Sequence, residues 1–253
     1  MSFTIIIPAR YASTRLPGKA LIEIAGKPML QWVYEKAQQT QAKKIIIATD
    51  DARVEAAAKQ FTDAVVMTSA DHVSGTERLQ EVASLLQLAD DEIVVNVQGD
   101  EPLIPPAFIH QVAKACIDFP QADIATLSAP LVTLEDIFNP NLVKVVCDHQ
   151  SHALYFSRAA IPWQRDAFPH HYEAQYSAWQ RHIGIYAYRV SLLHEFVRWP
   201  VAPIEMIERL EQLRALYYGK CIHVTSVDHT PDPGVDTPED LVRVQQLLLS
   251  TAS

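Results

Sequence analysis

The sequence predicts an α/β fold with a mostly parallel central sheet, and three observations lead there. Strand-like and helix-like segments alternate through the first half of the chain, which is the rhythm of βαβ units. The strand-like segments are unbroken apolar runs, Ile5-Ile6-Ile7, Ile45-Ile46-Ile47 and Ile93-Val94-Val95, as strands covered by helices on both faces require. Charged loops, each holding a single glycine, follow the first and third of these runs, at the strand ends where open α/β sheets bind ligands.

Taken in order, the pattern predicts a strand over 3–8, a helix over 28–39, a strand over 44–49, a helix over 52–61, a strand over 64–67, a helix over 76–86 and a strand over 92–97. From about 131 the rhythm changes to strands over 143–146 and 153–156, an irregular polar and aromatic stretch over 163–180, and a strand over 182–188. This region, about 131–200, reads as a smaller insertion within a single domain spanning 1–253. A long helix over 203–217 follows, with Ile204, Ile207, Leu210, Leu213 and Tyr217 at helical spacing. A strand over 222–227 and a helix over 238–249 complete the chain, with Asp236 or Thr237 as the helix cap.

With 253 residues, 49% hydrophobic and 20% charged, the chain has an ordinary globular composition and enough apolar residues for a sizeable core. A net charge of -9 argues against nucleic-acid or membrane-surface binding, which an excess of Lys and Arg would favour. Cys116, Cys147 and Cys221 are odd in number and form no C-x-x-C pair, so they support neither a disulfide framework nor a zinc site. No segment reads as a secretion signal or a membrane span, and a cytoplasmic location is expected.

Only seven glycines occur, and five of them, Gly18, Gly26, Gly75, Gly99 and Gly234, mark loops. The loop after the first strand holds Arg10, Arg15 and Lys19. Three cations on one short loop call for a counter-charge, and a triphosphate supplies it through charge-assisted bonds; the plain alternative is a solvated basic loop. A Walker A loop would need Gly where Ser13 stands and Ser or Thr where Ala20 stands, and no G-x-G-x-x-G occurs. The segment NVQGDEP over 96–102 places Asp100 directly after another buried strand. A strand-end carboxylate facing a triphosphate suits Mg²⁺, which takes one or two carboxylates together with phosphate oxygens and water; the alternative is a turn-shaping aspartate. Asp236 alone reads as a helix cap.

Eight motifs in order carry a resemblance: PARYASTRLPGKAL at 8–21, HVSGTERLQEV at 72–82, NVQGDEP at 96–102, NPNLVKVV at 139–146, ALYFSRAAIPW at 153–163, RHIGIYAYR at 181–189, LEQLRAL at 210–216 and GVDTPEDL at 234–241. Together they resemble the CMP-Kdo synthetases, the 3-deoxy-manno-octulosonate (Kdo) cytidylyltransferases. The resemblance implies a Rossmann-like nucleotide-diphospho-sugar transferase fold, a homodimer, and the reaction of CTP with Kdo to give CMP-Kdo and pyrophosphate for lipopolysaccharide. It implies that Arg10, Arg15 and Lys19 hold the phosphates, and that Ser74, Gly75, Arg78 and Gln98 surround the cytosine. It assigns Asp100 and Asp236 to a catalytic Mg²⁺, and Arg158, His182, Tyr186, Glu211 and Gln212 to the sugar acid. The same CTP half-site would also serve an enzyme acting on 8-amino-Kdo or a sialic acid.

Overall fold

The apolar runs become the centre of one sheet. A computed structural model describes residues 2–12, 16–171 and 178–251. In chain order the first half contains β1 (Thr4–Ala9), a 3-10 turn (Lys19–Leu21), a hairpin of β2 (Glu23–Ile24) and β3 (Lys27–Pro28), α1 (Met29–Gln38), β4 (Lys44–Thr49), α2 (Ala52–Ala58), β5 (Val65–Met67), α3 (Gly75–Leu85), β6 (Ile93–Asn96) and α4 (Pro106–Asp118). The second half contains β7 (Ile124–Pro130), α5 (Leu134–Phe138), β8 (Lys144–Cys147), β9 (Ala153–Ser157), β10 (Gln180–Arg189), α6 (Val190–Phe196), α7 (Pro203–Glu208), α8 (Gln212–Tyr217), β11 (Ile222–Ser226) and α9 (Pro238–Thr251).

The main sheet has the order β11-β7-β10-β6-β1-β4-β5, with β8 and β9 attached beside β10. β1 runs parallel to β4 and β6, pairing Ile5, Ile6 and Ile7 with Ile45, Ile46 and Ile47 in register. β5 continues the parallel set, and β7 and β11 are parallel to each other. β10 enters antiparallel between β6 and β7, and β8 and β9 add antiparallel pairs beside it, so the fold is α/β with a mostly parallel sheet. Because successive strand side chains point to opposite faces, Ile5, Ile7, Ile47 and Val95 pack with α1 and α4 in one core, through Leu30, Val33, Phe108 and Val112. Ile6, Ile46 and Val94 pack with α3, α6 and α8 in the other, through Leu79, Val82, Leu192 and Leu213.

The single helix expected over 203–217 is instead α7 and α8, separated by Arg209 in the left-handed region at φ 55°. No Gly or Pro marks the break. A buried bidentate pair joins the two helices, Arg214 Nε and Nη2 donating to Glu205 Oε2 and Oε1 at 2.8 and 2.6 Å. The break disperses the apolar stripe: Leu210 and Leu213 are buried, whereas Ile207 is 81% exposed and Tyr217 is also exposed. Gln212, which falls off that stripe, is buried. All three cysteines are free thiols, Cys116 buried and the other two half-buried.

The turn after β6 lies hard against β1. A Cβ at Gly99 would sit 2.8 Å from the Pro8 carbonyl oxygen, closer than carbon and oxygen tolerate, so only glycine permits this approach. Gly99→Ala is expected to destabilise the fold by about 1–3 kcal/mol, read as a lowered urea midpoint. Gly184→Ala, where a Cβ meets nothing within 4 Å, should change stability by less than about 0.5 kcal/mol; equal effects of the two would refute the steric argument.

Candidate active site

A cleft of about 370 Å³ opens at the carboxyl ends of β1 and β6. β1 delivers Arg10, the 3-10 turn delivers Lys19, the start of α3 delivers Ser74 and Gly75, the turn after β6 delivers Gln98 and Asp100, and the segment before α9 delivers Asp236. Seven of the residues singled out in the sequence thus line one cavity. Ser74 caps α3 by accepting the Glu77 N–H at 3.3 Å, and the helix start, which carries unpaired N–H groups and positive dipole, faces a site suited to anions. The Arg10 guanidinium has no hydrogen bond or ion pair to the described residues and is left for a ligand.

Asp100 and Asp236 meet at one ammonium. Lys19 Nζ donates to Asp100 Oδ2, to Asp236 Oδ1 at 3.1 Å and to the Val235 carbonyl at 3.3 Å. The two aspartates are held together by backbone: the Val235 N–H donates to the Asp100 carbonyl at 2.9 Å. A Cβ at Gly234 would lie 2.9 Å from that same carbonyl oxygen, so glycine is needed there as well. Thr237, not Asp236, caps α9 by accepting the Asp240 N–H at 3.2 Å, while Asp240 Oδ2 takes the Thr237 and Asp236 N–H groups. The Asp236 side chain is therefore spared for the cleft.

Charges of both signs meet in the cleft. Burial works against the Lys19 charge, yet Asp100 and Asp236 more than offset it and the ammonium pKa is raised. Burial, then the charges of Asp100 and Asp236, push neighbouring Glu101 up to about 7. Two carboxylates converging on a point already held by a cation fit Mg²⁺, whose remaining ligands are ordinarily phosphate and water. Among the described residues no set of three or more His, Cys, Asp or Glu side chains is placed to hold a metal by itself.

Arg78 does not line the cleft. Its side chain is fully buried, with Nη2 donating to Asp50 Oδ2 at 2.7 Å and Nη1 to the Thr68 hydroxyl, so it ties α3 to the loops after β4 and β5. Arg15 lies outside the described residues. A brace the sequence does not reveal supports the basic loop: the Arg53 guanidinium stacks 3.3 Å from the Tyr11 ring centre, and the same guanidinium is forked onto Asp51 at 2.9 and 2.6 Å. Tyr11 in turn packs on Gly18, whose φ of 69° excludes most side chains.

Of the five residues assigned to the sugar, three form a second group, His182 packs against one of them, Tyr186, and Arg158 bonds elsewhere. Tyr186, Glu211 and Gln212 line a cavity of about 30 Å³ together with Thr76, room for about one water molecule. Thr76 donates to Glu211 Oε2 at 2.9 Å, linking this pocket to the start of α3, which lines the larger cleft. Burial raises the Glu211 carboxyl against the pull of Ser74 and Thr76, and Glu211 Oε1 is buried without a protein partner among the described residues. His182 Nε2 lies 3.0 Å from the Thr126 hydroxyl; burial, then Arg181, push its pKa down to about 3. Arg158 stands on the loop after β9, bonded to the Glu208 and Pro140 carbonyls.

The chain matches the protein family described as Cytidylyltransferase over residues 4–222. It is 59% identical over 256 residues to the 3-deoxy-manno-octulosonate cytidylyltransferase of Cellvibrio japonicus, covering 98% of each chain. It is 56% identical over 248 residues to the enzyme of that name from Vibrio vulnificus, again covering 98% of each. A solved CMP:2-keto-3-deoxy-manno-octonic acid synthetase in complex with CTP superposes with a TM-score of 0.90 at 41% identity, over 99% of both chains. A cytidylyltransferase from Leptospira borgpetersenii, with a TM-score of 0.62 at 15% identity over 98% of this chain and 87% of its own, shares the fold.

The depressed pKa of His182 has a measurable sign. Below the ordinary value of 6.5 the unfolded chain takes up a proton that the folded histidine refuses, so its contribution to stability is lost as pH falls from 6.5 toward 3. Between about pH 7.5 and 5.5 the loss should approach about 1 kcal/mol, and urea midpoints of His182→Gln should show that much less pH dependence. An unchanged slope in the variant would contradict the assignment.

Proposed function

The chain belongs to the cytidylyltransferase family, among its 3-deoxy-manno-octulosonate cytidylyltransferases, and from that premise we propose how its residues divide the work. The enzyme transfers CMP from CTP to Kdo and releases pyrophosphate. The observation that carries the division is the meeting of Asp100, Asp236 and Lys19 beside Arg10 in one strand-end cleft.

In this reading the C2 hydroxyl oxygen of Kdo attacks the α-phosphorus of CTP in line. The new bond is oxygen to α-phosphorus, the bond broken joins the α-phosphorus to the α,β-bridging oxygen, and the hydroxyl proton passes to solvent. No covalent enzyme intermediate is required, because phosphoryl-type transfer is accelerated mainly by positioning and charge neutralisation. Arg10 and Lys19, with Arg15 of the same loop, receive the departing pyrophosphate. The start of α3 at Ser74 and Gly75, with Gln98, faces the cytosine, and Arg78 supports it from beneath.

Asp100 and Asp236 would hold Mg²⁺, which supplies charge neutralisation at the phosphates and acidifies a hydroxyl coordinated to it. Lys19 balances the two carboxylates where their charges meet, and phosphate groups entering the cleft add a third anionic partner. Arg158 offers a guanidinium to the sugar carboxylate, while His182, Tyr186, Glu211 and Gln212 line the sugar side.

We place the enzyme in the cytoplasm as a homodimer supplying activated Kdo for lipopolysaccharide. No helix among the described residues is long and apolar enough to cross a membrane. The exposed apolar side chains of Leu154, Met206, Ile207 and Tyr217, on neighbouring elements, suit a subunit contact.

Pyrophosphate release should require CTP and Kdo together. Asp100→Ala and Asp236→Ala should each reduce kcat by about 10²–10³-fold, the several kcal/mol a metal contributes, and each should weaken Mg²⁺-dependent CTP binding in calorimetry while far-UV dichroism stays native. Near-normal turnover in either variant would sink the metal assignment.

A further inference from the structure

Lys144 is completely buried in β8, an uncommon place for an ammonium. All three of its N–H donors are committed to backbone carbonyls, those of Asn139 at 2.8 Å, Leu142 at 2.6 Å and Arg158 at 2.7 Å. A buried charge is tolerated only when its donors are satisfied, so these three carbonyls are drawn to one point. Two belong to the loop before β8 and the third to the residue after β9, so the ammonium pins one loop to the other.

Arg158 is clamped from the other side too. Its N–H donates to Glu208 Oε2 at 3.0 Å, and Glu208 Oε1 accepts the Ser157 hydroxyl at 2.6 Å. Its Nε donates to the Glu208 carbonyl at 2.8 Å and its Nη1 to the Pro140 carbonyl at 3.0 Å. Pro140 sits between Asn139 and Leu142, the residues whose carbonyls Lys144 gathers. Nη2 is the one guanidinium nitrogen without a partner among the described residues. The guanidinium is thereby oriented in advance, with two edges fixed and one terminal nitrogen open.

We propose that Lys144 is a positioning residue for substrate selection: by holding the Arg158 carbonyl and the 139–142 loop together, it sets the guanidinium to receive the carboxylate of the sugar acid. This rests on the proposed role of Arg158 as the partner of that carboxylate. Lys144 touches no substrate, and its effect passes wholly through the geometry of Arg158. Preorganisation of this kind matters because a long side chain that must be ordered on binding spends part of its interaction on lost rotamer freedom.

The test compares Kdo with its methyl ester, which lacks the anionic carboxylate, in the wild type, Lys144→Met and Arg158→Ala. For Kdo, Lys144→Met should raise KM by about 10- to 100-fold, the range for losing a charge-assisted contact, with the KM for CTP within about twofold. For the ester, Lys144→Met and wild type should have equal kcat/KM. Should Lys144→Met fail to fold, Lys144→Gln, which keeps two donors, takes its place with the same expectation. If Arg158→Ala impairs Kdo turnover and Lys144→Met does not, or if Lys144→Met impairs acid and ester alike, Lys144 is not a positioning residue. If Arg158→Ala handles Kdo as the wild type does, the carboxylate role of Arg158 fails instead.

Discussion

One lysine between two aspartates organises the site. Lys19, Asp100 and Asp236 come from a turn near the start of the chain, a strand end in the middle and a helix entrance late in the sequence. Bringing two carboxylates close costs electrostatic repulsion that folding must compensate. The protein offsets it with the ammonium, the Val235 to Asp100 backbone bond and a glycine at 234 that allows the chains to touch. Burial, and after it the charges of the same two aspartates, push neighbouring Glu101 up to about 7.

Everything upstream serves to fix that meeting point. The isoleucine runs of β1 and β4 pair in register and bury both faces, so the loops at their carboxyl ends leave a rigid edge. Gly99 lets the Asp100 turn settle on Pro8, and Thr237 with Asp240 caps α9 without consuming Asp236. α9 is held in turn by a small core of Ile24, Met29, Val235, Val244 and Leu248, which couples the second carboxylate to the hairpin beside Lys19.

Legibility in the sequence followed the range of the forces involved. β1, β4 and β6 stood out because a buried parallel strand must be apolar throughout, a purely local signal. The basic loop stood out because three cations in one loop is a local charge anomaly, and Asp100 because it follows a buried strand; Arg10, Lys19 and Asp100 line the cleft. Asp236 looked like a cap and took its second meaning only from resemblance, since its partner lies 136 residues away. The break at Arg209 was hidden because an arginine, without Gly or Pro, adopts the left-handed turn there. Its stabilising pair, Glu205 with Arg214, spans the break in three dimensions and has no signature in periodicity. α4 and β7 were not separated from their surroundings, and the antiparallel entry of β10 between β6 and β7 depends on pairings between distant segments. Arg78, assigned to the cytosine by resemblance, is instead buried on Asp50 and Thr68, and the buried Lys144 carries no local signal of its three carbonyl partners.

The bond from Val235 to Asp100 also bears on how the molecule is made. Every strand of the sheet is translated before Asp236 leaves the ribosome, so the sheet and the Lys19 to Asp100 contact can form on a nascent chain that still lacks the second acid. Such an intermediate carries the basic loop and the start of α3, yet has only half of the carboxylate pair. The 234–236 segment, seated by that bond and by the close fit of Gly234, is thus added to a framework in which the first carboxylate already has its place.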